Sequence, residues 1–112
     1  MPDRRSIRLT AVAVTPIPGA GSPLVVRHDL AGVDAVGRVL LISGTIGPGV
    51  AALMTKCAGL ICKSGGLTAH IPILAREMGL PCLIGVSEIH RLEGATLVAL
   101  RPHESAVIGV WL

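Results

Sequence analysis

Short apolar runs alternate with turn residues along this chain, and their pattern predicts strands separated by two helices. Two of the runs, Arg38 to Ser43 (RVLLIS) and Gly59 to Cys62 (GLIC), are continuous, which is typical of strands buried on both faces of a parallel sheet. Strands are predicted at Ile7 to Val14, Pro23 to Arg27, Arg38 to Ser43, Gly59 to Cys62, Cys82 to Val86, Ala95 to Leu100 and Ala106 to Trp111.

Apolar residues recur at helical spacing between the central strands. One helix is predicted from about Gly49 to Cys57 and a second from about Ala69 to Met78. The second should end at Gly79, which can adopt the left-handed C-cap conformation, because Pro81 prevents continuation. Glu88 to Leu92 is predicted to form one helical turn. The alternation indicates an α/β fold, with a small parallel sheet, crossover helices and flanking β strands, in a single domain over residues 1–112.

Composition narrows the function classes. Half of the residues are apolar, yet Trp111 is the sole aromatic residue, so the core must be aliphatic and no aromatic platform for stacking bases exists. The net charge is only +3 and the cations are scattered, which argues against a nucleic-acid partner. The longest uncharged run, Val39 to Thr55, is interrupted by glycines and is short of a membrane span, so no membrane partner is expected.

The cysteines and the N-terminus bear on location. Cys57, Cys62 and Cys82 are odd in number and form no CxxC pair, so we interpret them as buried hydrophobes in a reducing compartment rather than as metal ligands. The opening residues MPDRRS lack the apolar segment of a signal peptide. A cytoplasmic location and no metal site are expected.

The stretch from Ser64 to Gly85 carries the candidate chemistry. Two glycines, Gly65 and Gly66, precede the second helix, where outward N–H groups and the positive end of the helix dipole attract anions. Thr68 can cap the helix or donate its hydroxyl to a phosphate oxygen. His70 can accept a phosphoryl group on one ring nitrogen while a hydrogen bond holds the other.

Each of these features also has a purely structural interpretation, the glycines as a turn and Thr68 as a helix cap. Pro72 should lie in the first helical turn, since a proline further along would break a hydrogen bond. The helix should therefore begin between Thr68 and Ile71, with His70 at its rim. On residue chemistry alone, the stretch predicts an anion site that contains a histidine.

The stretch contains Gly65-Gly66-Leu67-Thr68-Ala69-His70, followed by Ala75-Arg76-Glu77, Gly79-Leu80-Pro81 and Gly85. In this order and spacing, these residues resemble the signature of the phosphohistidine domain of PEP-utilising enzymes. The usual consensus of that family is Gly-Gly-x-Thr-Ser-His, then a helix that contains Ala-Arg, then Gly-(Ile/Leu)-Pro and a strand that ends in Gly. It includes pyruvate phosphate dikinase, PEP synthase, enzyme I of the sugar phosphotransferase system and rifampin phosphotransferase. The resemblance covers roughly Gly37 to Leu100 and implies a swivelling β/β/α domain.

The resemblance also implies roles for residues and partners. His70 would be the phosphorylated residue, Gly65, Gly66 and Thr68 would contact the phosphoryl group, and Arg76 would support the loop or pair with a phosphate. No cofactor is expected on this chain; ATP or PEP, with Mg, is expected on the partner. By this resemblance, the chain would be a free-standing carrier or a small subunit of a split phosphotransferase. Its partner chains would contain an ATP-grasp nucleotide-binding site, or a PEP- or acceptor-binding site.

Departures from the family pattern keep alternatives open. Ala69 stands at the usual serine, Pro72 replaces a helix former, and the C-terminal part, Leu97 to Gly109, lacks the acidic residue that the family often has directly after the strand. One alternative is an interaction or regulatory module that has this fold but no phosphorylation. Another is the small swivelling subunit of an aconitase-like dehydratase, which would need a serine-rich loop where Gly44 to Gly49 offers only Thr45.

Overall fold

The computed structural model describes residues 5–26, 32–44, 49–64 and 70–112. Nine strands and two helices follow one another along this part of the chain. The strands are β1 Arg5–Thr10, β2 Val12–Ala13, β3 Gly19–Gly21, β4 Pro23–Val25, β5 Val39–Ile42, β6 Gly59–Cys62, β7 Cys82–Ile84, β8 Leu97–Arg101 and β9 Ala106–Trp111. The helices are α1 Val50–Met54 and α2 His70–Met78, and short 3₁₀ helices cover Ile89–Leu92 and Pro102–Glu104.

A five-stranded sheet in the order β2-β7-β6-β5-β4 forms the centre of the molecule. Its strands β4, β5, β6 and β7 are parallel, and β2 adds an antiparallel edge to β7. Of the three connections between parallel neighbours, β5-α1-β6 and β6-α2-β7 contain a helix, as is usual for a parallel crossover. The third, from β4 to β5, includes residues outside the described part of the chain. The predicted parallel sheet with crossover helices and the α/β class are confirmed.

A second sheet in the order β1-β9-β8-β3 is wholly antiparallel. It packs on one face of the central sheet, and the helices pack on the other, so the molecule has three layers: sheet, sheet and helices. The flanking β structure predicted at both ends of the chain is this second sheet. The three layers are those of the β/β/α architecture.

Alternate residues of each central strand enter two different cores, because successive strand side chains point to opposite faces. Val39 and Leu41 of β5 face the second sheet, whereas Leu40 and Ile42 face the helices. All four are at most 2% exposed, and all four residues of β6 are buried as well. Burial on both faces explains why the sequence shows continuous apolar runs rather than alternation.

The N-terminal strand differs from the prediction. Instead of one strand from Ile7 to Val14, β1 ends at Thr10 in the second sheet and β2 begins at Val12 in the central sheet. Ala11 between them is buried and its N–H donates to the carbonyl of Ser105 at 2.9 Å. A change of sheet at one residue leaves the apolar pattern almost intact, so the pattern alone predicts a single strand.

Candidate functional site

His70 is the first residue of α2, and its side chain is exposed. Pro72 falls in the first turn of the helix, where its missing N–H costs no hydrogen bond. The predicted start between Thr68 and Ile71 and the place of His70 at the helix rim are confirmed. The imidazole is therefore open to a reactant, at the end of the helix where the dipole is positive.

The carboxyl end of β6, which leads towards His70, is held from both sides. On one side, the N–H of Lys63, the residue after β6, donates to the carbonyl of Ile42 in β5 at 2.8 Å. On the other side, the Val86 N–H donates to the carbonyl of Cys62 at 3.2 Å. The chain thus leaves the sheet from a fixed point, at the edge where parallel strands commonly present ligand-binding loops.

Two buried side chains seat α2 on the central sheet. Ile71 and Ala75 lie one turn apart and belong to the core between the helices and the sheet. His70, Ile73 and Glu77 follow the helical repeat on another side, and all three are exposed. Rotation of the helix would expose Ile71 and Ala75, so their burial keeps His70 turned towards solvent.

The C-terminal end of α2 is closed by a Schellman motif. Gly79 has φ +67, the Leu80 N–H donates to the Ala75 carbonyl at 2.9 Å, and the Gly79 N–H donates to the Arg76 carbonyl at 3.4 Å. The predicted left-handed cap at Gly79 is confirmed. The length of α2 is thereby fixed at both ends by local signals.

Thr15 fixes the connection from α2 into β7, and no pattern in the sequence predicted this role. Its hydroxyl donates to the Leu80 carbonyl at 2.7 Å and accepts the N–H of Cys82 at 3.2 Å. With 4% of its surface exposed, it is the buried polar side chain among the described residues. Thr15 therefore links the segment after β2 to the segment between α2 and β7 by two hydrogen bonds.

Three predicted phosphate contacts, Gly65, Gly66 and Thr68, lie outside the described residues, as does Ala69. Arg76 is described and exposed, but it lies six residues beyond His70. At the rise of a helix that separation is about 9 Å along the axis. The structure does not place Arg76 beside His70, so its role of supporting the loop or pairing with a phosphate stays a prediction.

Lys63 is a further exposed cation at this edge that sequence reasoning left out. It directly follows β6 and precedes the Ser64-Gly65-Gly66 segment. Its backbone bond to Ile42 fixes where its side chain starts. The signal available in the sequence was its position between a buried strand and two glycines.

Cys57 and Cys82 do not offer a competing nucleophile. Burial raises the pKa of the Cys82 thiol to about 12, with a smaller contribution from the nearby Cys62. Burial also raises the pKa of Cys57. Because the thiolate is the reactive form, both groups stay protonated and unreactive at neutral pH. None of the three cysteines forms a disulfide bond.

The described part of the chain contains neither a metal-binding cluster nor a membrane-spanning helix. No group of three or more His, Cys, Asp or Glu side chains there is arranged to hold a metal ion. Of the helices described, none has the length and apolar character to cross a membrane. Of the residues that the sequence predicted to be catalytic or phosphate-binding, His70 and Arg76 lie in the described part of the chain, and the imidazole of His70 is the one with a nucleophilic atom.

Comparison with known proteins adds evidence at the level of family. The family model of the "PEP-utilising enzyme, mobile domain" matches residues 35–104, a range that contains His70. Phosphoenolpyruvate synthase of Pyrococcus furiosus is 32% identical over 88 residues, which cover 77% of this chain and 10% of that protein. Rifampicin phosphotransferase of Streptomyces sviceus is 35% identical over 63 residues, 56% of this chain and 7% of that protein. The chain spans about a tenth of the length of these relatives.

The three-layer architecture also occurs in a solved structure. The crystal structure of aconitase X from Thermococcus kodakaraensis, in its holo-form, superposes with a TM-score of 0.70 over 95% of this chain and 99% of that chain. The sequence identity is 15%, so the similarity concerns the fold. The loop that the dehydratase alternative requires, between Gly44 and Gly49, lies mostly outside the described residues, Thr45 included.

Proposed function

Because this chain belongs to the family of PEP-utilising enzyme mobile domains, we propose that it carries a phosphoryl group on His70 between a donor site and an acceptor site. The observation that supports this most directly is the position of His70, exposed at the first residue of a helix that is fixed at both ends. Both reacting sites are proposed to lie outside these 112 residues. ATP or PEP, with Mg, is the proposed donor on an ATP-grasp or PEP-binding partner.

The transfer consists of two displacements at phosphorus. In the first, a ring nitrogen of neutral His70 attacks with its lone pair, the N–P bond forms, and the P–O bond to the donor breaks with its electrons leaving on oxygen. The other ring nitrogen keeps its proton. In the second, an oxygen of the acceptor attacks phosphorus and the N–P bond breaks, which returns the imidazole.

The helix start favours the phosphorylated state. The phosphoryl group adds negative charge next to the positive end of the α2 dipole, a contact that contributes about 0.3–1 kcal/mol when exposed. The backbone N–H groups of the first helical turn are available as donors, except at Pro72, which has no N–H. Gly65, Gly66 and Thr68 are proposed to supply further donors, and Lys63 is a cation two residues before Gly65 in the sequence.

A small chemical donor tests the nucleophile without any partner. The protein is incubated with phosphoramidate, which phosphorylates imidazoles, and the modified residue is identified by mass spectrometry under alkaline conditions. His90 and His103 are also exposed and serve as internal references. We expect His70 to be modified fastest and the acid-labile label to be lost from that position in His70→Ala. Equal modification of the three histidines would contradict a site built around His70.

A second experiment tests the transfer itself. The chain is incubated with radiolabelled ATP or PEP and with the nucleotide-binding and PEP-binding chains of the same genome, each tested as a donor. We expect acid-labile label on the wild type and none on His70→Ala, while His90→Ala is labelled normally. A folded His70→Ala variant that retains full biological activity would instead support the interaction or regulatory module.

A further inference from the structure

A groove of about 300 Å³ lies on the far side of the central sheet from α2. One wall is formed by residues 8–12, where the chain passes from β1 to β2. The other is formed by residues 85–88 and by Arg91, in the segment that follows β7. None of these residues has a part in the proposed phosphoryl transfer.

The groove exists because two sheets separate at this corner. Ala11 passes from one sheet to the other and is anchored by its bond to the Ser105 carbonyl. Opposite, Val86 is buried and bonded to Cys62, so the backbone after β7 turns inward before the 3₁₀ helix Ile89–Leu92 begins. Each wall is therefore anchored to a neighbouring strand or turn by a backbone hydrogen bond.

Positive charge exceeds negative charge around this groove. Arg8 bonds Glu104 at 2.8 Å, and Arg101 bonds the second oxygen of the same carboxylate at 3.1 Å. Across the groove, Arg91 bonds Glu88 at 2.7 Å. Three guanidinium groups thus share two carboxylates. The sharing arginines hold the pKa of Glu104 below its usual range, Arg8 by the strongest contact.

The two arginines that line the groove can exchange their partners. The side chains of Arg8 and Arg91 are 55% and 46% exposed, and ion pairs at that exposure contribute little stability. A planar guanidinium presents several N–H donors, so it can bind a carboxylate or phosphate while it retains part of its internal contact. Ser87 adds a hydroxyl to the same wall.

We propose that this groove is an anion-binding site for the carboxylate or phosphate group of a small ligand, with Arg8 and Arg91 as the binding cations. The site is distinct from His70, from which the central sheet separates it, and it does not depend on phosphoryl transfer. Glu88 is an internal competitor, because its carboxylate occupies the donors of Arg91 that the ligand would use. The groove volume accommodates an anion of the size of phosphate or malonate.

Amide NMR titration of the whole chain tests the proposal. Inorganic phosphate and malonate are the probes, added at constant ionic strength in the His70→Ala background so that the helix site is altered separately. We expect saturable shifts at the amides of Gly85, Ser87 and Glu88. Arg91→Gln and Arg8→Gln should each weaken the apparent affinity about tenfold, the scale of one lost charge-assisted contact.

Two further variants separate binding from general charge effects. Arg5→Gln removes the same charge from β1 at a residue that contacts Trp111 and does not line the groove, so its affinity should match that of the parent. Glu88→Gln should tighten binding, because the competing carboxylate is gone. Shifts that do not saturate, or an Arg5→Gln variant as weak as Arg91→Gln, would overturn the proposal, and so would weaker binding by Glu88→Gln.

Discussion

At the scale of single residues, Thr15 shows how one buried hydroxyl positions a segment far away in sequence. It donates to Leu80 and accepts from Cys82, the residues on either side of Pro81. Thr15→Val has nearly the same shape but leaves a carbonyl and an N–H without this partner. We expect it to lower the free energy of unfolding by about 1–3 kcal/mol, measured by urea denaturation.

Thr15→Ser is the matched control for that variant. Serine keeps the hydroxyl and loses only a methyl group, so most of the stability should be retained. A valine variant as stable as the wild type would show that the two hydrogen bonds contribute nothing measurable. Equal losses in both variants would assign the effect to packing of the methyl group.

The sequence predicted His70 and failed to select Thr15 for the same physical reason. The environment of His70 depends on neighbours within a few residues: glycines before it, a proline after it and a helical apolar repeat. Thr15 acquires its role from partners 65 and 67 residues away. Contacts of that kind arise only when β2 is laid against β7, and no local pattern in the chain encodes them.

At the scale of elements, the central strands and α2 were predictable because their signals are local. Strand β6 was predicted with both its ends correct, and Gly79 closes α2 as its position before Pro81 indicated. Strand β3, Gly19–Gly21, was missed, since three small residues carry no apolar alternation. It is a strand only because β8 provides its hydrogen-bonding partner.

The C-terminal cap of α2 can be tested by one substitution. Gly79 has φ +67, and a methyl group added there would meet no atom within 4 Å, so the only cost of Gly79→Ala is backbone strain. We expect a loss of about 1 kcal/mol in the free energy of unfolding. Gly44→Ala is the control, because that site is equally open and is not among the glycines with positive φ.

If Gly44→Ala were as destabilising as Gly79→Ala, the left-handed cap would not be the cause. The Gly79 variant also reports on the site. Fraying at the C-terminal end of α2 should leave phosphorylation of His70 by phosphoramidate nearly unchanged, because His70 and its first turn are seated by Ile71. Hydrogen exchange of the α2 amides would show whether the loss of order is confined to the last turn.

At the scale of the whole molecule, the double burial of the central sheet explains both the fold and the position of the two proposed sites. With one face covered by helices and the other by the second sheet, its edges remain for binding. His70 lies towards the helix side of the carboxyl edge, and the groove lies towards the sheet side. The sequence motif predicted the position of His70. The groove could be recognised only in the structure, because it forms where the chain passes from β1 to β2.

The close approach of the two sheets provides the last prediction. Gly21 of β3 packs so tightly against the residues before β5 that an added methyl group would overlap the carbonyl oxygen of Gly37. A backbone carbonyl cannot rotate away as a side chain can, and the neighbouring bond from the Val39 N–H to the Ser22 carbonyl, 2.9 Å, holds both segments in place. Gly21→Ala should therefore force the second sheet away from the central one.

We expect Gly21→Ala to lose about 3 kcal/mol of stability, the upper part of the range for overpacking. For a chain of this size that corresponds to a fall in Tm on the order of 15 °C, measured by circular dichroism. Ala20→Ser is the control at the next residue, whose side chain is exposed on the opposite side of β3. An unchanged Tm in Gly21→Ala would mean that the edge strand is not tightly apposed, and that the second sheet can shift without cost to the core it shares with β5 and β6.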